Sequence, residues 1–164
     1  MERLWSPWRI EYILNAKTEG CVFCKVFAAD AAQDKDHLIL HRGLYNAVIM
    51  NLYPYNNGHL MVIPYEHRET FEDLSAEALA ETMLLMNKCV AALRLAMGAQ
   101  GFNVGVNLGK AAGAGIDEHV HMHVLPRWIG DTNFITTLGG TRCIPQSLSE
   151  TYEQLKVAWE ALDT

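Results

Sequence analysis

Three observations predict an α+β fold with an antiparallel sheet. Short extended segments follow one another with turn residues between them, and one long helical periodicity interrupts that run instead of alternating with it. A second helical pattern closes the chain. Strands grouped as a meander, with helices inserted, are the signature of this class.

The elements take the following order. An aromatic N-terminal segment, Met1 to Tyr12, leads into Cys21-Val22-Phe23-Cys24, which reads as a tight knuckle. Extended segments are expected at His37–His41, Tyr45–Asn51 and His59–Ile63, punctuated by Arg42-Gly43 and by Pro54-Tyr55-Asn56-Asn57-Gly58. In the second of these, Ala47, Ile49 and Asn51 share one side and Val48 and Met50 the other. Ser75 is placed to cap a long helix on which Leu79, Met83, Met86, Val90, Leu93 and Met97 recur at helical spacing, with Gly98 and Gly101 near its end. That methionine-rich stripe reads as core, and Cys89 on the same helix reads as a small buried residue. Phe102–Asn107 is a fourth strand, and the Gly109–Gly115 loop runs into a fifth extended stretch. A final helix over about 149–162 shows Tyr152, Leu155, Trp159 and Leu162 on one side.

With 164 residues, half of them hydrophobic, the chain suits one folded domain spanning 1–164 with a sizeable core. The net charge of −6 argues against a nucleic-acid partner, so an anionic ligand would have to be met by local donors. No run approaches the roughly 20 apolar residues of a membrane span, and the N-terminus lacks the apolar stretch of a signal peptide. Four cysteines, only two of them close together, do not resemble a secreted disulfide scaffold; the expected address is cytoplasmic. Cys143 has no partner by spacing and is expected to be structural.

The most informative stretch is His119-Val120-His121-Met122-His123-Val124-Leu125-Pro126-Arg127. On an extended strand the three imidazoles line one face, spaced about 6.6 Å apart, while Val120, Met122 and Val124 face a core. A solvated face would accept Thr, Lys or Glu equally well. Imidazole adds metal ligation, or nucleophilic attack and proton transfer near neutral pH. Cys21 and Cys24 form half of a tetrahedral zinc site, with a redox pair and two idle thiols as the alternatives. Asn51 stands at a strand end before a turn, a place that also suits a plain turn starter. Asn107 ends the fourth strand and suits a phosphate or leaving-group contact. Gly113 and Gly115 belong to a loop whose backbone amides can approach phosphates.

Together these residues resemble the histidine triad (HIT) superfamily over most of the chain, from Leu4-Trp5-Ser6-Pro7-Trp8-Arg9 to the final helix. The most specific parts are Asn51 to Pro64, Gly101 to Gly109 and Glu118 to Phe134. Within the superfamily the chain is similar to the branch that cleaves dinucleoside polyphosphates, including diadenosine tetraphosphate phosphorylases, through Asn51-Leu52-Tyr53-Pro54-Tyr55-Asn56 and Pro126-Arg127-Trp128-Ile129-Gly130-Asp131.

The resemblance implies a HIT-like fold with a five-stranded antiparallel sheet, one long and one C-terminal helix, and a homodimer. It implies His121 as the nucleophile on an α-phosphorus, His123 and His59 converging on the same centre, and Asn51 at the ribose. It further implies a structural zinc held by Cys21, Cys24, His67 of Pro64-Tyr65-Glu66-His67, and His119. One departure concerns the acceptor. Many hydrolases of the superfamily carry Ala-Gly-Gln and then Ser or Thr before the triad, where this chain has Gly113-Ala114-Gly115-Ile116. Loss of the Gln removes a donor and opens room for inorganic phosphate in place of water.

Three readings follow: a nucleotidyl transferase or hydrolase working through His121, a nucleotide-binding regulatory protein with slow turnover, and a hydrolase with all three triad histidines on a catalytic metal.

Overall fold

The structure is a computed structural model that describes residues 20–141 and 143–163. The aromatic N-terminal segment, and the part of the family resemblance it carries, lie outside the described residues. Five strands, β1 (Ile39–Arg42), β2 (Asn46–Met50), β3 (Leu60–Pro64), β4 (Gly101–Gly105) and β5 (Met122–Arg127), form one sheet in the order β1-β2-β3-β5-β4. Every neighbouring pair is antiparallel. Helices α1 (Val22–Ala28), α2 (Ala76–Met97), α3 (Phe134–Gly139) and α4 (Leu148–Ala161) complete the fold. The α+β class and the five-stranded antiparallel sheet are as expected.

Alternation along the strands splits the apolar residues between two faces. Leu40, Val48, Met50, Leu60, Val62 and Val124 meet Leu85, Cys89, Ala92 and Leu93 of α2 and Tyr152, Leu155 and Trp159 of α4. On the other face Ile39, Ile49, Met61 and Ile63 pack with Cys21 and Phe23. The helical face is thus the main core, and the other face is free to carry chemistry.

Several expectations need correction. The Cys21 to Cys24 knuckle is the start of α1, with Cys21 as its N-cap residue. Ser75 does cap α2, accepting from the Ala78 N–H at 3.1 Å, and of the expected stripe Leu93 is buried while Met86, Val90 and Met97 pack against the core, but its N-terminal part does not. Leu79 and Met83 are 36% and 49% exposed, and the buried row runs through Ala78, Thr82, Leu85, Cys89, Ala92 and Leu93. Small residues in that row let the helix lie close on the sheet, a preference that counting large apolar side chains does not detect. The final helix starts at Leu148, behind a capping box of Ser147 and Glu150, and Leu162 at its end is exposed. Cys143 is exposed rather than structural.

The β1–β2 turn is fastened to α2 by one carboxylate. Glu81 accepts from the backbone N–H groups of Leu44, Tyr45 and Asn46 at 2.7–2.8 Å, and from Asn46 Nδ2 at 2.9 Å. Thr82 Oγ1 donates to Asn46 Oδ1, closing the network. Burial opposes the Glu81 charge, but these donors outweigh it and hold the carboxyl below its usual pKa. Glu81→Ala would strand three backbone donors, and we expect a loss of about 2–3 kcal/mol in chemical denaturation. Glu81→Gln should recover part of it. An unchanged midpoint in the alanine variant would show that water serves the turn equally well.

Candidate active site and metal centre

The turn before β3 sets His59. Gly58 has φ +73°, and a Cβ there would fall 2.6 Å from Met97 Sδ and 3.0 Å from Leu93 Cδ2, so only glycine lets the turn close against α2. Asn56 ties the same turn to β5, donating from Nδ2 to the Pro126 carbonyl at 3.0 Å. His59 is thereby held against His123, which lies on β5 where Met61 pairs with it.

Proton positions in this pair follow from the partners. His59 Nδ1 accepts the Tyr55 backbone N–H at 3.1 Å and lies 3.3 Å from Asn51 Nδ2, so its proton sits on Nε2. That Nε2–H donates to His123 Nδ1 at 2.8 Å. The His123 proton is therefore on its own Nε2, a buried donor with no partner among the described residues. His121 has the opposite tautomer: its Nδ1–H donates to the His119 carbonyl at 2.8 Å, leaving a bare lone pair on Nε2. The rings of His121 and His123 lie 4.8 Å apart. The arrangement presents a nucleophilic nitrogen beside an orphaned donor, which is what attack on a phosphorus with stabilisation of its oxygens requires.

Burial keeps these imidazoles neutral. His59 is lowered to about 3 by burial and by the neighbouring His123 and His121. His123 is lowered to about 4, again by burial and then by His121. Burial likewise lowers His121. A neutral His121 is the nucleophilic form.

His119 belongs to a second cluster. Ligand atoms of Cys21, Cys24, His67 and His119 all lie within 4.8 Å of one another. His119 Nδ1 is 3.3 Å from Cys21 Sγ and 3.7 Å from Cys24 Sγ, and His67 Nδ1 is 3.4 Å from Cys24 Sγ. A tetrahedral zinc with ordinary bond lengths separates a thiolate and an imidazole nitrogen by about 3.6 Å, so the donors already stand near the required edges. The other nitrogen of His119, Nε2–H, donates to the Pro64 carbonyl at 2.8 Å, fixing the tautomer that leaves Nδ1 free to ligate. The donor set fits a closed zinc site.

The expected histidine strand is shorter than its alternation suggests. Only His123 lies within β5; His119 and His121 precede it. Continuing the β3–β5 register would set Val120 opposite Pro64, which has no N–H to donate, and Val120 N–H instead finds the Arg68 carbonyl. The triad divides between two sites, with His119 turned to the thiols and His121 and His123 left to the second centre.

The remaining expected residues are placed less decisively. Asn51 acts as a turn starter, accepting from the Tyr53 N–H at 2.9 Å, and also reaches His59. Asn107 follows β4, half-buried, with no side-chain hydrogen bond among the described residues. Gly113 has φ +87°, and among the described residues no atom lies within 4 Å of a Cβ added at Gly113 or Gly115. Two aromatic residues were missed by sequence reasoning. Tyr55 lies over His59 and His123, with ring centroids 4.7 and 5.5 Å away. Phe23 packs between His119 and His121 at 5.4 and 5.2 Å. The available signal for Phe23 was its place between the two cysteines. A cavity of about 390 Å³ bordered by Asn56, Met97, Trp128, Cys143 and Gln154 takes no part in either cluster.

Comparison with known proteins matches residues 31–128 to the HIT domain family. Over 165 aligned residues the chain is 39% identical to an AP-4-A phosphorylase of Mycobacterium tuberculosis, covering 97% of this chain and 85% of that protein. It is 32% identical to an adenosine 5'-monophosphoramidase of Schizosaccharomyces pombe, covering 66% of this chain and 74% of that protein. Among solved structures it is similar to a zinc-bound histidine triad family protein from Mycobacterium smegmatis, with TM-score 0.72, 29% identity, and coverage of 88% and 96% of the two chains.

The neutral histidine pair carries a consequence for stability. Unfolded, these imidazoles take protons near pH 6.5, whereas folded they resist down to about 4 for His123 and about 3 for His59. Below 6.5 the unfolded chain binds more protons, so stability falls as pH falls and levels off only past the folded values. We expect urea midpoints to decline between pH 6.5 and about 4. His59→Gln should flatten part of that slope; an equal slope in the variant would assign the decline to other groups.

Proposed function

The chain belongs to the histidine triad (HIT) family, and on that premise we propose that it cleaves dinucleoside polyphosphates of the diadenosine tetraphosphate type at the α-phosphate, through a nucleotide carried on His121. The observation that carries this reading is the pairing of a bare His121 Nε2 with the partnerless His123 Nε2–H. The His121 lone pair forms a bond to the α-phosphorus while the bridging P–O bond breaks, and its electron pair leaves on the departing nucleotide. His123, oriented by His59, donates to the phosphoryl oxygens as charge builds on them. An acceptor oxygen then attacks the same phosphorus and the P–N bond breaks, restoring the imidazole.

Inorganic phosphate is the preferred acceptor in this reading. Gly113-Ala114-Gly115-Ile116 replaces a Gln-bearing segment, and the open space at Gly113 and Gly115 leaves room for a tetrahedral anion, while the Gly113 N–H is already given to the Lys110 carbonyl. The 39% identity to an AP-4-A phosphorylase supports the same choice. Asn51 is assigned to the ribose, and Asn107 to the leaving side. Water as acceptor is the second reading, favoured by Ile116 standing where a hydroxyl residue would help to hold phosphate.

Product analysis decides between them. With diadenosine tetraphosphate and excess phosphate, the phosphorylase reading gives ADP with ATP; AMP with ATP at saturating phosphate would establish the hydrolase. His121→Asn should lower turnover by about a thousandfold or more with the fold intact. Near-normal turnover in that variant would remove the nucleophile assignment.

The metal and the assembly belong to the same proposal. Zinc at Cys21, Cys24, His67 and His119 would be closed to substrate and contribute to folding, leaving the phosphoryl chemistry to the other histidines. A homodimer is supported by apolar side chains left exposed on α2, Leu79, Met83 and Leu84, and by Val104 on the edge strand β4. No described helix is long and apolar enough to cross a membrane. Native mass spectrometry of full-length protein should read two chains carrying two zinc ions; a zinc-free or monomeric species would count against the respective part.

A further inference from the structure

Helix α1 is secured unevenly. At its C-terminal end Arg42 donates to the carbonyls of Phe27 and Ala29, at 3.0 and 3.3 Å. At its N-terminal end the Cys21 side chain makes no capping hydrogen bond among the described residues. What faces that end is the metal-ligand cluster, with Cys21 and Cys24 on either side of Phe23. The Phe23 ring is buried, nearly perpendicular to His119 at 85° and tilted at 60° against His121. His119 is fully buried: its imidazole faces the thiols while its backbone carbonyl holds the His121 Nδ1–H. Two routes therefore connect the metal ligands to the same imidazole, one through the His119 main chain and one through the Phe23 ring.

We infer that the Cys21–Cys24–His67–His119 centre is a positioning device for His121, with Phe23 as its positioning residue. This rests on His121 as the reacting group proposed above. A metal would clamp both thiols to His119 and fix the first turn of α1. That holds Phe23 against one side of the His121 ring while the His119 carbonyl selects its tautomer. Released, α1 would keep its Arg42 anchor but not its grip on Phe23, and the His121 Nε2 lone pair would lose a single direction. Misplacement of a nucleophile by about 1 Å can cost on the order of a hundredfold in rate. A merely structural centre would alter stability alone.

The test uses full-length protein labelled with 15N at histidine. In the zinc-loaded wild type the His121 ring nitrogens should report one tautomer, protonated at Nδ1. Zinc-loaded Phe23→Leu should keep its zinc content and folded spectrum, yet show mixed His121 tautomers, with kcat down about tenfold and KM within about twofold. Chelated wild type that stays folded should show the same His121 signature, with Phe23→Leu adding little to it. The inference is overturned if the chelated, folded protein keeps the loaded His121 signals. It is equally overturned if Phe23→Leu raises KM alone with those signals unchanged, since the ring would then serve the nucleoside. Should chelation unfold the chain, the loaded Phe23→Leu comparison decides. Should the reaction assigned above be wrong, wild type would show no nucleotide turnover, while the His121 signals would still answer the positioning question.

Discussion

The site hangs on a hydrogen bond between two buried imidazoles, His59 Nε2–H to His123 Nδ1 at 2.8 Å. Two neutral rings can share one such bond only if the proton is committed to one side, and here the Tyr55 amide commits it by occupying His59 Nδ1. The His123 assignment inherits that direction. It is why His123 is left with a buried Nε2–H, while burial disfavours protonating either ring. The bond is itself a product of the fold, because Gly58 brings the turn against α2 and the β3–β5 pairing brings His123 alongside.

A chain with net charge −6 has no broad positive field with which to attract a polyphosphate. In the function proposed here its recourse is a fixed dipole, the buried His123 Nε2–H. Such donors are short-ranged and directional, so they act on a phosphate already in place. Separating His119 from its two neighbours has the same economy. In the proposed function one residue type at three nearby positions would serve as metal ligand, nucleophile and donor, with each distinguished by what its Nδ1 faces.

Much of this was legible in the residues. Alternating histidines, the cysteine pair and the turn-punctuated strands are local patterns, and local patterns carry over to structure when backbone geometry alone sets which side chains share a face. The clustering of Cys21 and Cys24 with His67 and His119 joins segments far apart in sequence, and it was reachable only through resemblance. What stayed hidden was of another kind. Glu81 reads as one more surface acid on a helix until its carboxylate meets three amides from a distant turn. The core face of α2 was misread at Leu79 and Met83 because large apolar side chains were weighted above small ones. The β5 start was misplaced because Pro64, on a different strand, decides where pairing ends. These are properties of contacts between elements, which no single stretch of sequence displays.

Strand β5 alternates two incompatible demands, with His123 facing the imidazole cluster and Val124 sealed in the helical core. A slip of one residue against β3 would exchange them. It would press an imidazole without partners among Leu60, Leu93 and Trp159, and leave a valine where His59 needs an acceptor. An unpartnered polar group in such surroundings costs about 1–3 kcal/mol, and the slip incurs further losses on both faces together. Folding fidelity is therefore enforced by a side chain of the candidate site: in this sheet His123 also proofreads the pairing of the strands.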